Sequence, residues 1–152
     1  MKTYRIAFVA TCAVMLSLAA ASNAEDTEKV TKVKCVVAGK EINIADAKVV
    51  AYKKAKVYVC CDKCKAAMEK DVAKFALKAN HQLFLTKQAK QVKCPIAGRP
   101  INPSKTVKMA GAEVGFCCPN CQGKAKDAKG EDQLKLAFSD AAFKKGFEIV
   151  AK

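Results

Sequence analysis

Tryptophan is absent from the 152 residues, and histidine occurs once, at His81. No acid pair, no nucleophile beside a base and no phosphate-cradling glycine loop stands out either, so the composition argues against a hydrolytic or cofactor-using enzyme. Aromatic residues amount to 7% and are not interleaved with the basic ones, and no arginine cluster is present, which argues against a nucleic-acid surface. Beyond the first two dozen residues there is no long apolar run, and this excludes a membrane-spanning helix from the remainder.

What the chain has instead is cysteine, nine in all. Cys60, Cys61 and Cys64 recur as Cys117, Cys118 and Cys121, and one further cysteine precedes each trio, Cys35 and Cys94. The segments around these solitary cysteines align too, Val33-Lys34-Cys35-Val36-Val37-Ala38-Gly39 with Val92-Lys93-Cys94-Pro95-Ile96-Ala97-Gly98. The shift is 59 positions there and 57 at the trios, so the chain is an internal duplication with four sulfurs per copy. A unit of roughly 60 residues buries little apolar surface, and staples or metals are common at that size.

Residues 1–24 read as a secretory signal peptide: Lys2 and Arg5, the mainly apolar run Ile6 to Ala21, then Ser22-Asn23-Ala24 as a small-x-small cleavage site. The mature chain is expected to begin at Glu25, with 25–32 as a flexible leader, in the periplasm or outside the cell. Cys12 leaves with the signal, and eight cysteines remain in a compartment that permits disulfides. With Lys2 and Arg5 gone from the 28 basic residues and all 14 acidic ones kept, the net charge is +12. The lysines are dispersed along the chain, so they read as a solvated surface with weak affinity for anionic surfaces.

Val49 to Tyr52 and Lys56 to Val59 alternate as two short strands joined at Lys53-Lys54. From Asp62 to about Ala79, the residues Cys64, Met68, Val72, Phe75 and Ala79 recur at three- and four-residue steps, which predicts an amphipathic helix laid against that hairpin. In the second copy Val107 to Ala110 and Glu113 to Phe116 give the strands around Gly111, and Pro119 suits a helix start. Gly130 marks a break, followed by helix through Gln133 to Phe138 and a turn over Ala141 to Lys145 capped by Ser139. Leu83 to Leu85 and Phe147 to Val150 read as strands, His81 as a helix-exit residue, and Met68 as core rather than a thioether ligand. Asp46, Asp62 and Asp71 read as surface and cap residues. The expected fold is α+β, two tandem cysteine-rich modules over 33–87 and 88–152, each a β-hairpin packed on an α-helix.

A cysteine in a turn ahead of a hairpin, with others where the second strand runs into a helix, brings distant sulfurs together. The positive end of the helix dipole and the surrounding lysines favour thiolate at Cys61 and Cys64, and at Cys118 and Cys121. Two chemistries stay open on the residues alone, thiolate metal binding and structural disulfides. Cys118-Pro119-Asn120-Cys121 also has the form of a disulfide-exchange motif, although Asp62-Lys63 fill that place in the first copy.

The run Cys94-Pro95-Ile96-Ala97-Gly98, the hairpin, and Gly115-Phe116-Cys117-Cys118-Pro119-Asn120-Cys121 resemble the YHS and TRASH-like families, small domains associated with sensing, trafficking and resistance to heavy metals. Tyr58-Val59-Cys60-Cys61-Asp62-Lys63-Cys64 and Phe75 are similar in the first copy, so the likeness covers nearly all of the mature chain, twice. The resemblance implies Cys35, Cys60 and Cys64 as one set of ligands and Cys94, Cys117 and Cys121 as another, with Cys61 and Cys118 auxiliary. The chain departs from the family pattern at Ala38 and Ala97, which stand where a cysteine often precedes the glycine. The expectation is an exported, non-enzymatic protein that holds a zinc or copper ion through cysteine thiolates for trafficking, sensing or buffering. Its expected partners are the ion and another exported metal-handling protein. The alternative is a disulfide-stapled structural or interaction module without metal.

Overall fold

A computed structural model describes residues 30–150, so the signal peptide expected at 1–24 and positions 25–29 of the leader lie outside the described residues. In the first copy β1 (Lys32–Lys34) pairs antiparallel with β2 (Glu41–Asn43) across the turn that carries Cys35. The sequence pattern predicts neither strand, because three residues hold too few alternations to show a period. Lys32, placed in the flexible leader by its polarity, is the first residue of β1.

A short 3-10 turn leads into the hairpin of β3 (Lys48–Tyr52) and β4 (Ala55–Val59). Its two-residue loop has positive φ at both Lys53 (50°) and Lys54 (63°), the backbone that matches the twist of the flanking strands. Ala55, Val57 and Val59 alternate inward and are buried.

The single helix expected from Asp62 to Ala79 is two helices, α1 (Asp62–Lys70) and α2 (Val72–Leu85). Asp71 breaks it: its backbone leaves the helical region (φ −142°, ψ 76°) and its carboxylate accepts the Lys74 N–H at 3.1 Å, capping α2. Leu83 to Leu85, which read as a strand, are the last turn of α2, with Leu83 fully buried on the same stripe as Ala76 and Ala79. A three-residue apolar run looks the same in either element. His81 therefore lies within the helix rather than at its exit. The strand that follows is β5 (Ala89–Gln91).

The second copy repeats the hairpin, helices and closing strand with β6 (Asn102–Met109), β7 (Ala112–Phe116), α3 (Pro119–Asp127), α4 (Gly130–Phe138), α5 (Asp140–Gly146) and β8 (Phe147–Ile149), with one helix more and, among the described residues, no counterpart of the β1–β2 pair. β7 and α3 stand 57 positions after β4 and α1, and β8 stands 58 after β5. Ser139 takes the N-cap position of α5, but its hydroxyl makes no capping hydrogen bond.

The copies are joined by more than a linker. β5 and β8, the closing strand of each, pair antiparallel with Lys90 opposite Glu148. One continuous core runs through both, taking Val57, Met68 and Leu83 from the first copy and Val114, Phe116 and Phe138 from the second. Phe84 lies 5.8 Å from Phe138 and 5.2 Å from Phe147, ring centre to ring centre, so the aromatic cluster crosses the boundary. Among the described residues no helix is long and apolar enough to cross a membrane.

Candidate metal centres

Each centre starts at a five-residue backbone turn. The Cys35 N–H donates to Lys40 O (2.8 Å) and the Gly39 N–H to Cys35 O (2.8 Å). The same pair recurs as Cys94 N–H to Arg99 O (2.9 Å) and Gly98 N–H to Cys94 O (2.7 Å). Gly39 and Gly98 have φ of 72° and 68°, a region an L-residue enters only with strain, so glycine closes both turns. Backbone N–H groups from the turn and from the end of β4 meet at the sulfur: Cys35 Sγ accepts from Ala38 N and Cys60 N, both at 3.4 Å.

Cys60 and Cys117 follow the last residues of β4 and β7, and Cys64 and Cys121 lie in the first turns of α1 and α3. Cys61 and Cys118 sit between them as extended N-cap residues, with φ of −162° and −156°. The strand end and the helix start thereby turn two sulfurs of each trio toward the turn cysteine.

The structure brings Cys35, Cys60 and Cys64 together, their sulfurs all within 4.8 Å of one another, and does the same for Cys94, Cys117 and Cys121. Cys60 Sγ is 3.4 Å from Cys64 Sγ, and Cys117 Sγ is 3.8 Å from Cys121 Sγ. Cys61 Sγ stands beside the first triad, 3.6 Å from Cys60 Sγ. All eight described cysteines are unbonded thiols. Cys35, Cys64, Cys94 and Cys121 are buried and Cys60 and Cys117 half-buried, so each triad reaches solvent through its hairpin cysteine; the neighbouring Cys61 is exposed and Cys118 half-buried.

The electrostatics differ from the expectation at one position of each pair. Burial pushes the Cys35 and Cys94 thiols up, yet the backbone N–H groups of Ala38 and Cys60, and of Ala97 and Cys117, more than offset it and leave both below the ordinary value. The N–H groups at the helix starts lower Cys61 and Cys118, as their position predicts. Cys64 and Cys121 go the other way and are pushed up to about 12. At Cys64 the hydrogen bond with Cys60 leads, then burial; at Cys121 burial leads, then Cys118 and Cys117. Three sulfurs this close cannot all carry charge without a cation between them, so the helix dipole, though favourable, is outweighed.

The donor set fits a thiophilic ion. Sulfurs about 2.3 Å from a tetrahedral ion lie about 3.8 Å from each other, and the Cys60–Cys64 and Cys117–Cys121 separations are close to that. His81 belongs to neither group; its ring packs edge-on against Phe138, 4.9 Å between centres. Met68 is fully buried in the core, and Ala125 occupies the equivalent place. Two side chains beside the centres, Gln82 and Gln91, escape a comparison of the repeats because they do not align with each other. The available signal was a glutamine on the apolar side of α2, where Gln82 is one of only two buried polar residues among those described.

Comparison with family models, with curated proteins and with solved structures finds no match to this chain.

Proposed function

We propose that the chain is an exported, non-enzymatic protein that holds one soft or borderline metal ion in each copy, zinc or copper(I), as tandem YHS/TRASH-like modules. The observation that carries this reading is the duplicated triad: six cysteines from distant positions gather into two groups of three at equivalent places. Cys35, Cys60 and Cys64 hold one ion and Cys94, Cys117 and Cys121 the other. Three thiolates satisfy a copper(I) ion, whereas zinc takes a fourth donor, which the adjacent Cys61 or Cys118, or solvent, supplies on the open side. That open side suits exchange with another exported metal-handling protein, and the dispersed lysines add weak attraction to anionic surfaces.

A disulfide-stapled module is the second reading. The same closeness favours it, since the Cys60 and Cys64 sulfurs at 3.4 Å need to approach by only about 1.4 Å to bond. Intact mass of protein purified from the export compartment without reductant separates the two. Two metal ions per chain in the native spectrum, lost on denaturation with eight titratable thiols, is the expected result. A native mass without metal, and a denatured mass lowered by two hydrogens per bond, leaves the stapled module.

A further inference from the structure

We infer, on the footing of the metal reading above, that Gln82 and Gln91 are the positioning residues of the two centres: each amide staples the backbone just ahead of the turn cysteine to the backbone just ahead of the hairpin cysteine. Gln82 Nε2 donates to Lys34 O and to Tyr58 O, both at 2.9 Å, and its Oε1 accepts the Tyr58 N–H at 2.7 Å. Gln91 Nε2 donates to Lys93 O (3.1 Å) and Gly115 O (2.7 Å), and its Oε1 accepts the Gly115 N–H at 2.8 Å. Lys34 and Lys93 immediately precede Cys35 and Cys94, and Tyr58 and Gly115 lie two residues before Cys60 and Cys117. The three hydrogen bonds are the same, made to equivalent backbone groups.

The side chains that make them are not equivalent. Gln82 reaches in from α2, whereas Gln91 comes from β5. A feature inherited passively from the duplication would use matching positions; the same clamp built from two different elements points to a requirement at the site. The geometry shows what that requirement is. β1 pairs with β2 and β4 with β3, so the Cys35 and Cys60 segments share no ladder of their own. The glutamine amide fills the gap and fixes the spacing of two backbones that each deliver a sulfur. The Cys60 N–H that points at Cys35 Sγ lies directly beyond it. Partners that orient a ligand without touching the ion change affinity by about 10–100-fold when removed.

Zinc(II) competed against a chromophoric chelator reads the affinity of each centre, and cobalt(II) reads its geometry through thiolate charge-transfer bands. Gln82→Glu keeps the volume and the acceptor for the Tyr58 N–H and loses both donated bonds; Gln91→Glu does the same in the second copy. Each variant should weaken one of the two ions by about 10–100-fold, alter the cobalt bands of that centre, and leave the other centre unchanged. Gln88 is the control, because its amide holds Lys56 in the same manner (2.8 Å from Lys56 N, 2.7 Å to Lys56 O) one pleat further from the sulfurs. Gln88→Glu should lower thermal stability with both affinities intact. Equal losses in the Gln82 and Gln88 variants, or none in either the Gln82 or the Gln91 variant, overturn the positioning role. Wild-type protein that binds none of zinc(II), cobalt(II) and copper(I) overturns the metal reading instead. Should Gln82→Glu fail to fold, Gln91→Glu, whose side chain is only half-buried, decides the question through the same zinc and cobalt measurements.

Discussion

Lys53 Nζ lies 2.7 Å from Asp140 Oδ1, tying the turn of the first hairpin to the start of α5 in the second copy. Asn80 completes the junction. Fully buried, it donates from Nδ2 to Phe138 O (2.9 Å) and Asp140 Oδ1 (2.8 Å) and accepts from Tyr52 Oη (3.2 Å) and Lys53 Nζ (3.0 Å). Burial raises the Asp140 carboxyl, but the hydrogen bonds from Lys53 and Asn80 outweigh it and leave the group below its ordinary value, while burial and the nearby carboxylate push Tyr52 up.

Asn80 should therefore matter more than the ion pair it supports. Asn80→Leu leaves the Phe138 carbonyl without its side-chain donor, and the Tyr52 hydroxyl with Asp140 alone, and is expected to cost about 2–3 kcal/mol. Asp140→Asn, at a side chain that is 60% exposed, is expected to cost about 1 kcal/mol or less at neutral pH. Urea denaturation at constant m gives both values. An Asp140 variant that costs more than the Asn80 one would reverse the ranking.

His81 makes the fold sensitive to mild acid. Its Nε2 is buried without a partner, and burial, with the charge of Lys34 adding, lowers its pKa to about 4 despite a hydrogen bond to the backbone of Ala110. The folded value lies below the unfolded one, so the unfolded chain takes up the proton first. Stability is then complete above about pH 6.5, declines as the pH falls toward 4, and the decline amounts to about 3 kcal/mol. Asp140 adds to the loss only as the pH falls below about 4. His81→Leu should flatten the slope between pH 7 and 4.5 in metal-free, reduced protein, where ion release contributes nothing. An unchanged slope would assign the acid sensitivity to other groups.

The first hairpin loop invites a stabilising change at one position and forbids it at its neighbour. Lys54, exposed with φ 63°, makes no side-chain hydrogen bond or ion pair among the described residues, so Lys54→Gly should raise stability by roughly 0.5–1 kcal/mol. Lys53→Gly relieves similar strain but removes the contacts to Asp140 and Asn80, and should be neutral or harmful. Melting temperatures of the two variants check the contrast.

The gathering of the sulfurs was legible because it repeats: Cys35, Cys60 and Cys64 recur as Cys94, Cys117 and Cys121 and form both triads, and the hairpins and α3 follow from alternation and Pro119. What the sequence concealed depends on single residues or on contacts between copies. One aspartate, Asp71, splits a continuous amphipathic pattern by capping. Strands of three residues, such as β1 and β5, are too short to show a period, and β5 finds its partner β8 at the far end of the chain. The helix dipole correctly orders Cys61 and Cys118, but the crowding that raises Cys64 and Cys121 exists only once three sulfurs converge.

The continuity of the core predicts that the two copies unfold as one unit. A fragment of residues 25–87 lacks β8 and β5 alike, and strips α2 of the helices α4 and α5 that cover it, so that Asn80 loses Phe138 O and Asp140 and keeps only Tyr52 and Lys53. That fragment should show no cooperative melt at the full-length temperature, and the loss should persist in zinc if packing rather than the ion sets it. Full-length Phe138→Ala tests the same point without truncation. Phe138 is fully buried between His81, Phe84 and Phe147, and its removal should cost about 3–5 kcal/mol. The decisive observation is where that loss appears. Near-ultraviolet signal from Tyr52 and Tyr58, both in the first copy, should fall in the same single transition as the helical signal of the whole chain. Tyrosine signal that survives to the wild-type temperature would mean that the first copy stands alone.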